Sequence, residues 1–324
     1  MFTDDSLHEA EDSCNLAVER QRRRFRACCP TLYFLARFLF QRVFGIALKC
    51  FFLLIFSVIF FYTYAIVIPF ESQYKPWWLL MLLALFGLYL FGCVIFHFFM
   101  ASLTHPGSPP KNANQYPLCR VCQNHKPPGT HHCSICGICV LRMDHHCVWL
   151  NTCVGARNHR YFLQFLGYIA FGMLFQLTAA YNTFYYNWGV SAFGYCSSEL
   201  DAFPFYESLC EGGTRAVESL TMFVLMLTVV LVVLVGGFFL WNCILVTYGT
   251  TYIACLQGIV KSGRRFAALP SKEQIIRNWR TFLGLSDERS FWIHILLPST
   301  HVAEDYVRVP SLYPEIEFVG VSVV

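Results

Sequence analysis

Between Cys119 and Cys153 the chain places seven cysteines in 35 residues, with histidines set among them. In order they read Cys119-x-x-Cys122, then His131-His132-Cys133-x-x-Cys136-x-x-Cys139, then Asp144-His145-His146-Cys147, then Cys153. A structural zinc site takes four nitrogen or sulfur ligands in a tetrahedron, and a CxxC pair supplies two of them from one tight turn. The pairs Cys119/Cys122 and Cys133/Cys136, followed by His132, Cys139, His146 and Cys153, fill two sites of three cysteines and one histidine each. Thiolate and imidazole donors favour zinc over the hard cations. A loop this short and this poor in large apolar residues builds little core, so the metal is expected to supply its folding free energy. By spacing, His131 competes with His132 as a ligand, and the two sites can be sequential or interleaved.

Cys147 is the cysteine left over. The thiolate is the nucleophilic form of cysteine. An adjacent imidazole takes the proton, and a carboxylate behind the imidazole fixes its tautomer and orientation. Asp144, His145 and Cys147 supply that trio within four residues, leaving His146 for a metal. The alternative is that Cys147 is a ninth candidate ligand and Asp144 orients a ligating histidine. A spare thiol beside a base points to covalent thiol chemistry, and the flanking segments place it at a membrane.

The elements that must position this loop are apolar. Of 324 residues, 56% are hydrophobic and 14% charged, where a soluble domain carries about 25% charged residues. Four segments are long enough to cross a bilayer, which takes about 20 residues of helix. They run roughly from Ile46 to Ile68, Trp77 to Met100, Tyr161 to Tyr185 and Leu220 to Tyr248. The region up to Lys49 carries eight Lys or Arg, the first inter-span loop only Lys75, the central loop six, the next loop only Arg215, and the tail eight. This alternation predicts both termini and the cysteine-rich loop in the cytosol. The expected fold is therefore an all-α polytopic membrane protein, with a cytosolic zinc-binding domain between its second and third transmembrane helices. The expected divisions are a cytosolic N-terminal region 1–45, helices 1 and 2 in 46–100, the cysteine-rich domain in 101–160, helices 3 and 4 in 161–248 around a lumenal loop 187–219, and a cytosolic tail 249–324. Trp77, Trp78, Tyr161, Trp188 and Tyr248 fall where an aromatic belt would lie. The net charge of +4 is too small and dispersed to imply nucleic acid as a partner. Clustered cysteines fit metal binding in a reducing compartment rather than a disulfide framework. Cys196 and Cys210, in the expected lumenal loop, are either a disulfide or two free thiols.

The run His132-Cys133-x-x-Cys136-x-x-Cys139 followed by Met143-Asp144-His145-His146-Cys147-Val148-Trp149-x-Asn151-x-Cys153-Val154-Gly155-x-x-Asn158 resembles the DHHC family of protein S-acyltransferases. The four-span layout with a cysteine-rich cytosolic loop is similar too. The resemblance implies two interleaved zinc ions, with Cys119, Cys122, His132 and Cys139 on one and Cys133, Cys136, His146 and Cys153 on the other. It implies that Cys147 is the acylated nucleophile, His145 its base and Asp144 the orienting carboxylate. The reaction implied is transfer of a long-chain acyl group, such as palmitoyl, from acyl-CoA to Cys147 and then to cysteines of substrate proteins near the membrane. A buried methylene is worth about 0.8 kcal/mol, so the chain belongs among the spans. The CoA phosphates call for cations, with Arg142, Arg157 and Arg160 as the leading candidates and Lys126, Lys261, Arg264 and Arg265 beside them. The resemblance and the short outer loop together suggest the endoplasmic reticulum or Golgi.

The chain departs from that family's pattern in places. Val148 stands where a proline is usual, Thr152 where a second asparagine is usual, and Gly129 where an arginine is common. His105-Pro106-Gly107 replaces Asp-Pro-Gly. Thr250-Thr251-Tyr252-Ile253 lacks the glutamate of the usual Thr-Thr-x-Glu, which brings the docking of the tail into question. Asn278-Trp279-x-x-Phe282-Leu283-Gly284 resembles the family's C-terminal motif, and Ile295-Leu296-Leu297-Pro298-Ser299 loosely resembles the tail of one animal member. The competing function is a non-catalytic membrane scaffold that uses the zinc module to bind partners. A phosphoesterase reading fails for want of carboxylates around a hard metal, and a transporter reading for want of ionisable residues within the spans.

Overall fold

The computed structural model describes residues 43–110, 116–189, 214–262, 269–285, 289–301 and 303. Four helices are long and apolar enough to cross a membrane: α1 (Gly45–Glu71), α2 (Trp77–Leu103), α3 (His159–Ala179) and a fourth over Val217–Thr247. The last lies within α5 (Thr214–Thr247), and α4 (Tyr181–Gly189) precedes it. The tail forms α6 (Tyr252–Ser262), α7 (Lys272–Leu283) and α8 (Phe291–Leu296). The fold is helical as expected. The loop between α2 and α3 adds two antiparallel hairpins, β1 (His131–Cys133) with β2 (Ile138–Val140) and β3 (His145–Cys147) with β4 (Thr152–Val154). Strands of three residues leave too little alternation for a sequence pattern to reveal.

The described residues fall into two compact units, to both of which the four long helices contribute. The first comprises 50–97 and 164–240. Its helices are apolar all round, so large side chains such as Phe61, Leu82, Val233 and Leu234 stay exposed. That is the surface a lipid-facing helix presents. Its core packs Ile66, Val67 and Phe70 of α1 against Ala180, Phe184 and Val224. The third apolar segment does not run unbroken to Tyr185; it stops at Ala179, and α4 begins two residues later. The cause is the carboxylate of Glu71, which is 1% exposed. Its Oε1 accepts the Thr183 N–H and the Thr183 hydroxyl, both at 2.9 Å, and its Oε2 accepts from Asn182 at 2.9 Å. Lys75 supplies the countercharge and also donates to the Ala179 carbonyl at 2.8 Å. The first turn of a helix has N–H groups without intrahelical partners, and an anion placed there is stabilised. Glu71 thus caps α4 from another helix.

The second unit takes residues up to 49, 98–163 and from 241 onward. Asn158, fully buried, ties its strands to its helices. The side chain donates to the carbonyls of Ala101 at 3.0 Å and Cys153 at 2.9 Å, and accepts the Gly155 N–H at 2.9 Å. Gly155 admits no side chain, since a Cβ there would sit 2.5 Å from Val140 Cγ1 and 2.8 Å from the Pro106 carbonyl. Three hydrogen bonds to carbonyls help seat the tail in this unit. Asn278 donates to the Thr247 carbonyl at 2.9 Å, Arg160 to the Ser299 carbonyl at 2.7 Å and Tyr161 to the His301 carbonyl at 3.0 Å. Cys196, Cys210, Arg264, Arg265, most of the expected lumenal loop and nearly all of the N-terminal region lie outside the described residues, as do the side chains of Trp188 and Lys261.

Removing one partner of a buried, hydrogen-bonded charge costs about 3–5 kcal/mol. Glu71→Ala is therefore expected to lower the thermal midpoint of the purified protein in detergent sharply, and Glu71→Gln, which keeps an acceptor for Thr183, to lower it less. Equal midpoints for Glu71→Ala and the parent would remove Glu71 from its capping role.

Candidate active site and metal centres

Two adjacent residues on a strand point to opposite faces, and this decides which side chain goes where. In the first hairpin His132 faces Cys139 across the ladder, and in the second His146 faces Cys153. The turn after β1 carries Cys136, whose N–H donates to Cys133 Sγ at 3.4 Å. The result is two clusters of four donors, Cys119, Cys122, His132 and Cys139 in one, Cys133, Cys136, His146 and Cys153 in the other, each with all its donor atoms within 4.8 Å of one another. Neighbouring residues His132 and Cys133 serve different clusters because the pleat sends them to opposite sides. His131 belongs to neither cluster.

The donor spacing can be tested against an ion. Four sulfurs about 2.3 Å from a tetrahedral zinc lie about 3.8 Å apart. In the second cluster His146 Nδ1 is 3.7 Å from Cys133 Sγ, 3.3 Å from Cys136 Sγ and 3.6 Å from Cys153 Sγ, and Cys136 and Cys153 are 3.5 Å apart. In the first, Cys139 Sγ is 3.9 Å from His132 Nδ1 and 3.0 Å from Cys122 Sγ. Each cluster fits one metal ion held by three sulfurs and one nitrogen.

The same alternation governs β3. His146 turns to its cluster, so His145 and Cys147 share the other face. Cys147 is 8% exposed and belongs to neither cluster. His145 Nδ1 bonds Asp144 Oδ2 at 2.8 Å, and its ring hydrogen-bonds Cys147 as well. Burial disfavours the imidazolium, but hydrogen bonds to Asp144 and Cys147 outweigh it and lift the His145 pKa to about 9. Phe162 packs edge-on against the ring at 5.1 Å between centroids. Asp144 itself is 1% exposed. Burial works against its anion, yet the His159 and His145 imidazoles and a backbone N–H hold its carboxyl below the ordinary range. That N–H belongs to Tyr252, the first residue of α6, and reaches Asp144 Oδ1 at 2.6 Å. An anion at a helix N-terminus is favoured by the unpaired N–H groups and the helix dipole. The tail therefore docks on Asp144 through main chain, and the glutamate missing after Thr250-Thr251 is not needed for that contact.

Two contributors to this site went unnoticed in the sequence. His159 looked like the polar start of an apolar segment, yet it is buried, acts electrostatically on Asp144, hydrogen-bonds Asn242 and packs against Phe282 at 5.0 Å between centroids. The Tyr252 N–H carries no side-chain signal at all. Of the three leading cation candidates, Arg157 is exposed and Arg142 half-buried. Arg160 is a correction: it is 2% exposed, stacks on Tyr161 at 4.1 Å and is spent on the Ser299 carbonyl, so it presents no guanidinium for a phosphate. Lys126 is likewise buried.

The sequence model of the DHHC palmitoyltransferase family matches residues 112–258, the stretch that holds both clusters and the Asp144–His145–Cys147 trio. Palmitoyltransferase ZDHHC16B of Danio rerio is 32% identical over 290 residues, covering 80% of this chain and 75% of its own. The chain belongs to the DHHC palmitoyltransferase family. Palmitoyltransferase ZDHHC16A of Danio rerio is 29% identical over 302 residues, 80% of this chain and 76% of its own. Probable protein S-acyltransferase 12 of Arabidopsis thaliana is 64% identical over 50 residues, 15% of this chain and 17% of its own. Like the other members of the DHHC family, the chain is an integral membrane enzyme with protein S-palmitoyltransferase activity.

Because the β1–β2 hairpin feeds both clusters, a chelator is expected to release two ions per chain in one cooperative step, with loss of the loop's ordered spectrum; elemental analysis and circular dichroism read this together, and two well-separated release steps would contradict it. A second expectation concerns pH. The folded-state pKa of His145 lies above its ordinary 6.5, at about 9. Its stabilising contribution is therefore complete below about pH 6.5 and fades as pH rises through about 9. The thermal midpoint should fall more between pH 7 and pH 10 in the parent than in His145→Gln, and parallel curves would dissociate His145 from the effect.

Proposed function

We propose that Cys147 carries the acyl group in this palmitoyltransferase, with His145 as its base and Asp144 as the orienting carboxylate. The Cys147 sulfur attacks the thioester carbonyl of a long-chain acyl-CoA. The C–S bond to CoA breaks, and His145 passes the Cys147 proton to the departing thiolate. In the second half His145 takes the proton of a substrate cysteine, whose sulfur attacks the acyl-enzyme and releases Cys147. One thioester replaces another, so no further energy source is required.

What supports this reading above all is a thiol left outside two complete four-donor clusters and hydrogen-bonded to an imidazole that is itself hydrogen-bonded to a buried carboxylate. Val148 and Trp149, both exposed beside it, give an acyl chain an apolar surface to approach along. The ions at the two clusters are zinc in this proposal, held by Cys119, Cys122, His132 and Cys139 and by Cys133, Cys136, His146 and Cys153. Their part is to fix the two hairpins, and the ligand chemistry favours zinc. Arg157 and Arg142 remain as cations for the CoA phosphates. The acceptors are proteins with cysteines near the membrane. The division at 101–160 for the cysteine-rich domain and 249–324 for the tail, the cytosolic side for both, and residence in the endoplasmic reticulum or Golgi belong to the same reading.

Cys147→Ser is expected to abolish hydroxylamine-sensitive labelling from palmitoyl-CoA, a loss of at least about 10³-fold, since removing a nucleophile leaves only binding and positioning. Intact-mass spectrometry should find one acyl adduct on the parent and none on the variant. An adduct that persists on Cys147→Ser, with metal content unchanged, would move the nucleophile elsewhere.

A further inference from the structure

Cys147 ends the first strand of the β3–β4 hairpin, and a turn over residues 148–151 leads from it into β4. The turn has two sides. Val148 and Trp149 are exposed, while Leu150 is fully buried. Leu150 and Asn151 are held by the ends of two long apolar helices, all within the unit that takes residues up to 49, 98–163 and from 241 onward. From α2, the Ser102 hydroxyl donates to the Leu150 carbonyl at 3.2 Å. From α1, Gly45 receives the Asn151 side chain. A Cβ on Gly45 would lie 2.5 Å from Asn151 Oδ1, and closer still to its Cγ and Nδ2. The whole amide therefore fills the space that a side chain at 45 would need.

The turn fixes Asn151 from its own side as well. Its φ is +49°, in the left-handed region that asparagine enters more readily than most residues. Its N–H donates to the Val148 carbonyl at 3.3 Å. The root of the hairpin is tied separately, by Asn158 to the carbonyls of Cys153 and Ala101. Glycine is a poorer helix former than alanine. At Gly45 that weakness is offset by the close approach it allows between α1 and the turn.

We propose that Gly45 is a positioning residue for acyl transfer. By admitting the Asn151 amide against α1, with Ser102 holding Leu150 beside it, it sets where the Cys147 thiol stands over the ends of the first two spans. This rests on Cys147 being the acyl carrier. The hydrocarbon of a long-chain acyl-CoA prefers the bilayer, so its thioester meets the thiol only at a matching height. Atoms in ordinary contact stand about 3.5–4.0 Å apart, so a methyl group at 45 must displace the amide, and the turn with it, by about 1 Å. A misplacement of about 1 Å can cost about 10²-fold in rate. Asp144 and His145 precede Cys147 directly and travel with it, so the thiol keeps its own reactivity while its meeting with the thioester is spoiled.

The test is a double-mutant cycle on the full-length protein in phosphatidylcholine nanodiscs, with Cys147 loading from palmitoyl-CoA followed by intact-mass spectrometry. Gly45→Ala is expected to lower the maximal loading rate at least about fivefold, with the half-saturating palmitoyl-CoA concentration changed less than about twofold. Asn151→Gly accepts the positive φ and clears the space, so in that background Gly45→Ala should cost less than about twofold. Metal content, and alkylation of Cys147 by iodoacetamide read on its peptide, should match the parent throughout. Should Gly45→Ala fold poorly, Ser102→Ala reads the same grip from α2, with slower loading and unchanged alkylation expected. Equal cost of Gly45→Ala in both backgrounds would overturn the proposal. So would unchanged loading in Gly45→Ala or Ser102→Ala, or alkylation that falls in step with loading. A parent that loads no acyl group on Cys147 would overturn the assignment of the acyl carrier and this proposal with it, whereas a parent that loads normally beside a silent Gly45→Ala overturns this proposal alone.

Discussion

His132, Cys133, His145, His146 and Cys147 take their places in the cysteine-rich loop from the alternation of two three-residue strands. A strand sends consecutive side chains to opposite faces, and three pairs of neighbours exploit it. His132 and Cys133 part to different metal clusters, His146 leaves its strand face for a cluster, and His145 and Cys147 are thereby set on one side together. Hairpins this small do not hold their own register; two-stranded hairpins are marginal in water even when longer. Four donors closing on one ion at each cluster can supply what the missing core does not. A helix would have put residues 145 and 147 about 200° apart on its circumference, so the same sequence in another conformation would separate the Cys147 thiol from the His145 ring.

Two buried carboxylates recur as joints. Glu71 receives the Thr183 N–H at the start of α4, and Asp144 receives the Tyr252 N–H at the start of α6. In each case an anion that would be expensive alone is offset by the unpaired donors of a helix beginning. The two differ in their countercharge. Glu71 has Lys75, one turn away on the chain. Asp144 has the imidazole of His145, the next residue on the chain.

The two four-donor clusters could be read from the sequence because their chemistry depends on residue type and short spacing, and CxxC pairs advertise both. The spans were legible for the same reason: twenty apolar residues leave few other interpretations. Spacing alone left open His132 against His131 and interleaved against sequential clusters; the resemblance implied the choice, and the strand register, which three-residue strands do not signal, supplies its physical reason. The break at Ala179 and the role of Glu71 went unseen because a carboxylate 112 residues from Thr183 has no local pattern. Arg160 was misplaced by its sign alone, since charge near a span end suggests a surface while its actual partners are the Ser299 carbonyl and the Tyr161 ring.

The joint between Asp144 and the tail recognises a position along the backbone rather than a kind of amino acid. Any residue other than proline offers the same amide hydrogen at 252. Drift in the four residues after the last span is therefore cheap so long as the turn into α6 survives. The familiar lettering of that segment can fade while the mechanical link it once spelled out persists, which is how this chain keeps its tail seated with Ile253 where an acid is customary.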